Sequence, residues 1–458
     1  MRTRRQFLTD SSRRLAGAAV LLPSIVRSVS FANAQNGAKH RHTTVTSVKR
    51  TTVKLDYRPA PKRAMDRELP HWRWTEIVEV ELSSGAVGVG ETLLFYTWGT
   101  TRDEDVTRAL GKNAVDLMWD DGLGAGLQSA LFDAVAKTLD VPIHRLLGRQ
   151  IHRKTPLSWW NIDTSAQDMA DECALAFDRG YLSYKTKGRP WFDIQEQLEA
   201  SVQRVPERFK IDMDFNSTLL DAERGLPILK SLERYPQVDI YESPIPQDDI
   251  EGNRRICEAT RVNVAMHYGT PSPADVVKHG VCDGFVVGGG ASRVRRQAAF
   301  CEEVKMPFWL QLVGTGITAA YSLHFGAVCE QAVWPAVNCH QLYTHDLLKA
   351  TIPVNQGFAD VPEAPGLGYE LDRDALERHR VEKPSQRPNP RRLVETTWAS
   401  GRRMYFAASE VNFMLNAANK EAIPYYQAGA NTRLYPNDGS AEWLDLYRRA
   451  EDAPVVIE

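Results

Sequence analysis

The sequence predicts an α/β protein in which a closed barrel of eight parallel strands follows a smaller α+β domain. Short apolar runs recur at 156–162, 181–187, 209–215, 238–244, 262–268, 282–289, 307–313 and 336–342. Seven amphipathic stretches separate them, Asp168 to Phe177 and Gln195 to Val205 among them. Strands alternating with helices imply right-handed crossovers and a parallel sheet, and eight of them in about 190 residues suit a closed barrel. The competing arrangement is a doubly wound open sheet, but no glycine-rich dinucleotide loop follows the first run.

The chain ahead of the barrel reads differently. Residues 44–58 and 73–82 alternate apolar and polar side chains, with Ile77, Val78, Val80 and Leu82 in the second. Ser83-Ser84-Gly85 offers a turn, and Val87-Gly88-Val89-Gly90-Glu91 begins a third strand, so the sheet is antiparallel. Helical periodicity takes over at 102–111 and 126–138, where Leu127, Ala130, Leu131 and Ala134 share a face. The expected organisation is an α+β capping domain at 44–150, the barrel at 151–382 and a C-terminal extension at 383–458. The extension opens on the proline-rich Lys383 to Arg392 and is rich in aromatic and helical content, which predicts packing or oligomer contacts.

Of 458 residues, 56 are Lys or Arg and 58 are Asp or Glu, a balance that points to no nucleic-acid partner. No apolar stretch reaches the roughly 20 residues of a membrane-spanning helix. Residues 1–34 read as an export signal. Arg4-Arg5 precede Gln6-Phe7-Leu8, an apolar run from Leu15 to Val26 follows, and Ala32-Asn33-Ala34 supplies a cleavage site. The paired arginines predict the twin-arginine route and a periplasmic protein. The six cysteines are widely spread without a C-x-x-C pair, which predicts thiols rather than a disulfide framework.

Barrel active sites form at the C-terminal ends of the strands. The second strand ends Tyr184-Lys185-Thr186-Lys187, and period-two alternation puts both ammonium groups on one face. Two lysines close together in partial burial depress each other's pKa, which prepares one as a base. Asp214 ends the third strand and Glu242 the fourth, and adjacent carboxylates suit a hard cation such as Mg²⁺. Gly288-Gly289-Gly290 reads as a tight turn, with an anion site as the alternative. Trp159 and Trp160, ending the first strand, read equally as an aromatic wall or as core.

In these segments the chain resembles the enolase superfamily, specifically its mandelate racemase and muconate lactonizing branch. The resemblance spans about residues 44–380 and rests on motifs in order. They are Gly88-Val89-Gly90-Glu91-Thr92, Ala130-Leu131-Phe132-Asp133, the K-x-K of Lys185-Thr186-Lys187, the D-x-N of Asp214-Phe215-Asn216 and the E-x-P of Glu242-Ser243-Pro244. Pro365-Gly366-Leu367-Gly368 closes the series. The seven intervening helices fit that family's modified (β/α)7β TIM-like barrel.

The resemblance implies removal of a proton α to a carboxylate, with Lys187 as base, Lys185 as its companion near the substrate carboxylate, and Asp214 and Glu242 as ligands of Mg²⁺ or another divalent cation. The third ligand in the family is acidic, whereas the matching segment here is Ala265-Met266-His267-Tyr268, with Tyr268 at the acidic position and His267 better suited to a transition metal. Gln311 stands where a strand-seven histidine would fall, and the sixth strand offers Val286-Val287-Gly288 without a lysine. With a base on one face only, the expectation is an exported lyase (dehydratase) or isomerase acting on a sugar acid or related hydroxy acid. The alternative is an exported small-molecule-binding barrel with a degenerate metal site. The expected partner is a small-molecule carboxylate, with no membrane in the mature form, and the chain is expected to form a homo-oligomer. A loop at about 57–72, carrying Arg58, Lys62, Arg63, Arg67 and His71, is expected over the barrel mouth, where its basic groups would meet an anion.

Overall fold

The computed structural model describes residues 42–96, 99–408 and 410–457, so residues 1–34, read above as an export signal, lie outside the described residues. Strands β1 (Val45–Lys54), β2 (Trp74–Leu82) and β3 (Val87–Leu93) form the antiparallel sheet, in the order β1-β2-β3. The helix Ala125–Thr138 lies across it, with Leu127, Ala130, Leu131 and Ala134 fully buried. Each such leucine contributes roughly 1.5–3 kcal/mol by leaving water. The contact is close because the strand carries glycine: a Cβ at Gly88 would stand 2.1 Å from the Ala130 carbonyl oxygen, and one at Gly90 would stand 2.0 Å from that of Gly126.

Barrel strands β4 (Lys154–Trp160), β5 (Ser183–Lys187), β6 (Lys210–Asp214), β7 (Val238–Glu242), β8 (Asn263–His267), β9 (Gly284–Val287), β10 (Phe308–Leu310) and β11 (Ala336–Val337) fall within the eight apolar runs or at their edges. They run parallel in the order β10-β9-β8-β7-β6-β5-β4-β11. A parallel bridge between Gln311 and Val337 brings the two ends of that order together. Seven helices join the eight strands, from Ala166–Asp178 to Gly316–Val328. β12 (Phe358–Asp360) adds antiparallel to β4.

Two buried carboxylates pin the sheet to the barrel. Asp133 accepts from the Val89 and Leu367 amides, each at 2.8 Å, and from Lys137 Nζ at 2.7 Å. Glu91 accepts from the amide of Thr315 at 2.6 Å and that of Thr318 at 3.1 Å, at the start of the helix Gly316–Val328. The motifs that carried the family resemblance are therefore, in this part of the chain, the joints between layers.

The C-terminal extension is not mainly helical. β13 (Leu393–Thr397), β14 (Arg403–Ala407), β15 (Asn431–Tyr435) and β16 (Val455–Ile457) form a second antiparallel sheet, in the order β15-β13-β14-β16, with helices Phe413–Asn419 and Ala441–Asp452. Its aromatic residues fill its own core: Trp398 and Phe406 pack with Trp191 and Phe192, which belong to the barrel. Arg58 to His71 likewise do not form a loop, because Pro59–Glu68 is a helix and Pro70–Arg73 a 3-10 turn. All six cysteines are free. Among the described residues no helix is long and apolar enough to cross a membrane.

Candidate active site

The parallel register places the reactive groups in one row. Lys187 pairs with Asp214 across β5 and β6, and Asp214 with Glu242 across β6 and β7. Period-two alternation then puts Lys185 one layer below Lys187 on the same face. Lys187 Nζ bonds the Asp214 carboxylate and lies 3.1 Å from Asn216 Oδ1. Lys185 Nζ pairs with Glu242, donates to Gln311 Oε1 at 3.0 Å and sits 4.8 Å from the centre of the Trp309 ring. Lys185 is 2% exposed, Asp214 1% and Glu242 0%.

The two lysines do not depress each other alike. Burial pushes Lys187 down, and the neighbouring charges of Lys185 and Arg189 add to that against the opposing pull of Asp214. Burial also pushes on Lys185, but Glu242 and Asp214 outweigh it and hold its pKa above the ordinary lysine value. The expected mutual depression therefore holds for Lys187 and fails for Lys185, on which two carboxylates, Glu242 and Asp214, act together. Glu242 is held below its usual range: burial acts to raise it, and the charges of Lys185 and His267 win.

Tyr268 does not occupy the third ligand position. Its ring packs against Phe285 and Phe300, at 5.1 and 5.9 Å between centroids. His267 takes the place beside Glu242, with Nε2 3.0 Å from Oε1. Among the described residues no group of three His, Cys, Asp or Glu side chains is close enough to hold a metal ion, so Asp214, Glu242 and His267 do not form one. The physical reason is visible in their partners. Asp214 turns to Lys187 and to the Asn216 amide at 2.9 Å, while Glu242 turns to Lys185 and His267. A donor set of two lysine-paired carboxylates and an imidazole does not fit Mg²⁺, which takes oxygen ligands.

Lys185, Lys187, Asp214 and His267 line a cavity of about 570 Å³, together with Trp72 and Tyr96 of the cap region. Trp160 is wall, stacked on Trp72 at 5.7 Å, whereas Trp159 is core and donates Nε1–H to Glu172 at 2.8 Å. The basic groups of 57–72 are mostly consumed by the chain's own acids. Arg58 bonds Glu172 twice, Arg63 pairs with Asp168, Lys62 with Asp66, and Arg67 with Asp163. His71 alone among them reaches the cavity, and burial, with Arg387 and Arg392 nearby, lowers its pKa to about 4. The anion reading of Gly288-Gly289-Gly290 is also taken by the chain itself: Asp121 accepts from the amides of Ser292 at 3.0 Å and Arg293 at 2.9 Å.

Three lining residues carry no chemical signal in the sequence: Val411, Asn412 and Leu415, all in the C-terminal extension. Cys339 also lines the cavity, in a left-handed conformation with φ 62° just after β11.

A capped parallel barrel with its charged groups at the strand C-termini defines a known class of barrel proteins that carry their site beneath a second domain. Residues 168–375 match the family model described as Enolase C-terminal domain-like. That part of the chain carries the enolase superfamily's barrel, and the chain is similar to members of the mandelate racemase and muconate lactonizing branch. The N-succinyl-L-Arg/Lys racemase of Bacillus cereus is 23% identical over 339 residues, which span 66% of this chain and 89% of that relative. The arabinonate dehydratase of Saccharolobus solfataricus matches at 23% identity over 339 residues, with the same shares of 66% and 89%. Muconate cycloisomerase from Pseudomonas fluorescens shares the fold, with TM-score 0.60 at 20% identity over 74% of this chain and 100% of that one. The relatives are thus enzymes of the lyase and isomerase kinds, and members of the superfamily typically bind Mg²⁺.

Proposed function

We propose that this protein is a lyase or isomerase that removes a proton α to the carboxylate of a small hydroxy acid, with Lys187 as the base. The single observation that carries the reading is the divergence of two lysines on one strand. Lys187 faces the cavity with its pKa pushed down, while Lys185 beneath it is held charged by Glu242. Neighbouring groups whose pKa values are driven apart are the usual arrangement for dividing base and electrostatic roles.

In this scheme Lys187 Nζ takes the α-proton. The Lys185 ammonium stands where negative charge develops on the carboxylate oxygens, a fixed cation in a water-poor site. Gln311 accepts from Lys185 through Oε1, which leaves its amide N–H2 as a donor toward the cavity. No titratable group lines the cavity on β9, where Val286 stands, so proton removal and return on opposite faces has no second lysine. Elimination or one-base isomerisation follows more directly than two-base racemisation. Because the donor set does not fit Mg²⁺, no step is assigned to a metal.

The test is exchange of the α-proton with deuterated solvent across a panel of hydroxy acids, read by NMR. Exchange in the wild type that is lost in Lys187→Ala, with the fold intact by circular dichroism, is the expected result. Exchange at wild-type rate in Lys187→Ala overturns it. A second reading, a carboxylate-binding barrel without turnover, is favoured by the lysine pairing of both carboxylates. Binding with no exchange for any acid would select it. We also propose export through the twin-arginine route, supported by Arg4-Arg5, the apolar run and Ala32-Asn33-Ala34.

A further inference from the structure

The C-terminal sheet domain is seated on the segment that follows the lysine strand. Tyr426 donates its hydroxyl to the Gly188 carbonyl at 2.9 Å and lies 2.6 Å from Thr218 Oγ1. The Asp193 amide donates to the Ala430 carbonyl at 2.7 Å, and the Gly429 amide donates to Asp193 Oδ2 at 2.8 Å. Thr432 Oγ1 donates to the Trp191 carbonyl at 2.7 Å, and Trp191 and Phe192 are buried in a core shared with Val394, Phe406 and Met414. Attachment by side-chain and backbone bonds plus a common apolar core makes this a fixed wall. From that wall, Val411 and Leu415 reach the cavity. The family match ends at residue 375, so the wall lies outside the matched part of the chain.

The cavity combines charged and aromatic lining, and Trp160 stands in register with Lys185 on the neighbouring strand. Its floor, at the ends of β5 to β8, carries Lys185, Lys187, Asp214 and His267. Trp72, Trp160 and Tyr96 form an aromatic group, with Trp72 stacked on Trp160 and Tyr96 set edge-on to Trp72 at 4.7 Å between centroids. Hydroxyl groups placed against such surfaces lose water without gaining partners, whereas a flat apolar group gains contact.

We infer that Val411 and Leu415 of the C-terminal domain, together with Trp72, Trp160 and Tyr96, select a carboxylate bearing a flat apolar substituent over a polyhydroxylated sugar acid. This inference rests on the proposed function only in placing the carboxylate at the lysine end.

The experiment is calorimetric titration of the full chain with two probes, 3-phenyllactate and D-gluconate. The expected result is phenyllactate binding about tenfold or more tighter than gluconate, the size of effect that one or two apolar groups in a pocket produce. Leu415→Ala and the shape-conserving Val411→Thr should each weaken phenyllactate several-fold and leave gluconate unchanged. Leu415 and Val411 are only half-buried, so both variants should fold, and a thermal melt checks this. Gluconate binding as tightly as phenyllactate, neither acid binding, or variants that leave phenyllactate unaffected would each overturn the inference. Phenyllactate that binds as expected but shows no α-proton exchange would instead sink the proposed function and leave the selectivity standing.

Discussion

Tyr426 grips Gly188, the residue after Lys187, across 238 positions of sequence, with its hydroxyl 2.9 Å from the Gly188 carbonyl oxygen. A residue far outside the barrel thus holds the chain next to the candidate base. Its hydroxyl is buried, and burial raises its pKa well above the ordinary tyrosine value, so it stays a donor across the working pH range. Tyr426→Phe should cost about 0.5–1.5 kcal/mol of stability, the usual net worth of one hydrogen bond, or somewhat more because Gly188 loses a partner. A urea titration that shows an unchanged midpoint would remove the bond from the account.

The lowered pKa of Lys187 sets a pH dependence. Below that pKa the amine is protonated and cannot accept a proton, so α-proton exchange should fall as pH drops through it and level off above it. The midpoint should lie below that of an ordinary lysine. Lys185→Met should move the midpoint upward, since a neighbouring positive charge is removed, and slow the reaction as well. A profile that ignores Lys185→Met would show that the titrating group is another one.

His71 gives a separate pH signature, in stability. Its folded pKa of about 4 lies below the ordinary 6.5, so the folded state binds fewer protons than the unfolded state between those values. Stability should therefore fall as pH drops from about 6.5 toward 4, by at most about 3 kcal/mol from this group. His71→Asn should flatten that part of the stability curve. Parallel curves for the two proteins would show that His71 does not titrate as described.

The metal prediction turns on one substitution. Wild-type protein should bind Mg²⁺ weakly, because two lysines neutralise the two carboxylates and the third group is His267. His267→Asp adds a carboxylate beside Glu242 and should tighten Mg²⁺ binding at least tenfold by calorimetry. Tight Mg²⁺ binding by the wild type would defeat the reading that these lysine-paired carboxylates do not fit the ion.

Export is checked in the host. Arg4→Lys with Arg5→Lys should leave the protein in the cytoplasm, and the exported form should begin near Gln35. Fractionation that finds the double variant in the periplasm at wild-type levels would rule out the twin-arginine route.

Local pattern was sufficient wherever one residue's role is fixed by its own strand. Period-two alternation alone puts Lys185 and Lys187 on one face, and the apolar rhythm alone gives eight strands, because both follow from the geometry of extended chain. Gly88 and Gly90 read in sequence only as strand residues, and that they admit the helix Ala125–Thr138 so close is set by the tertiary packing. What the sequence could not decide are partnerships between distant segments. The opposite shifts of the two lysines depend on Glu242 lying nearer Lys185, and the eclipse of Tyr268 by His267 depends on how β8 ends against β7 and β9. The basic residues Arg58 to Arg67 look available in sequence and are spent on Glu172, Asp168, Asp66 and Asp163 once helices pack. Val411 and Leu415 carry no chemical mark at all, because apolar side chains read as core until the tertiary structure turns them toward a cavity.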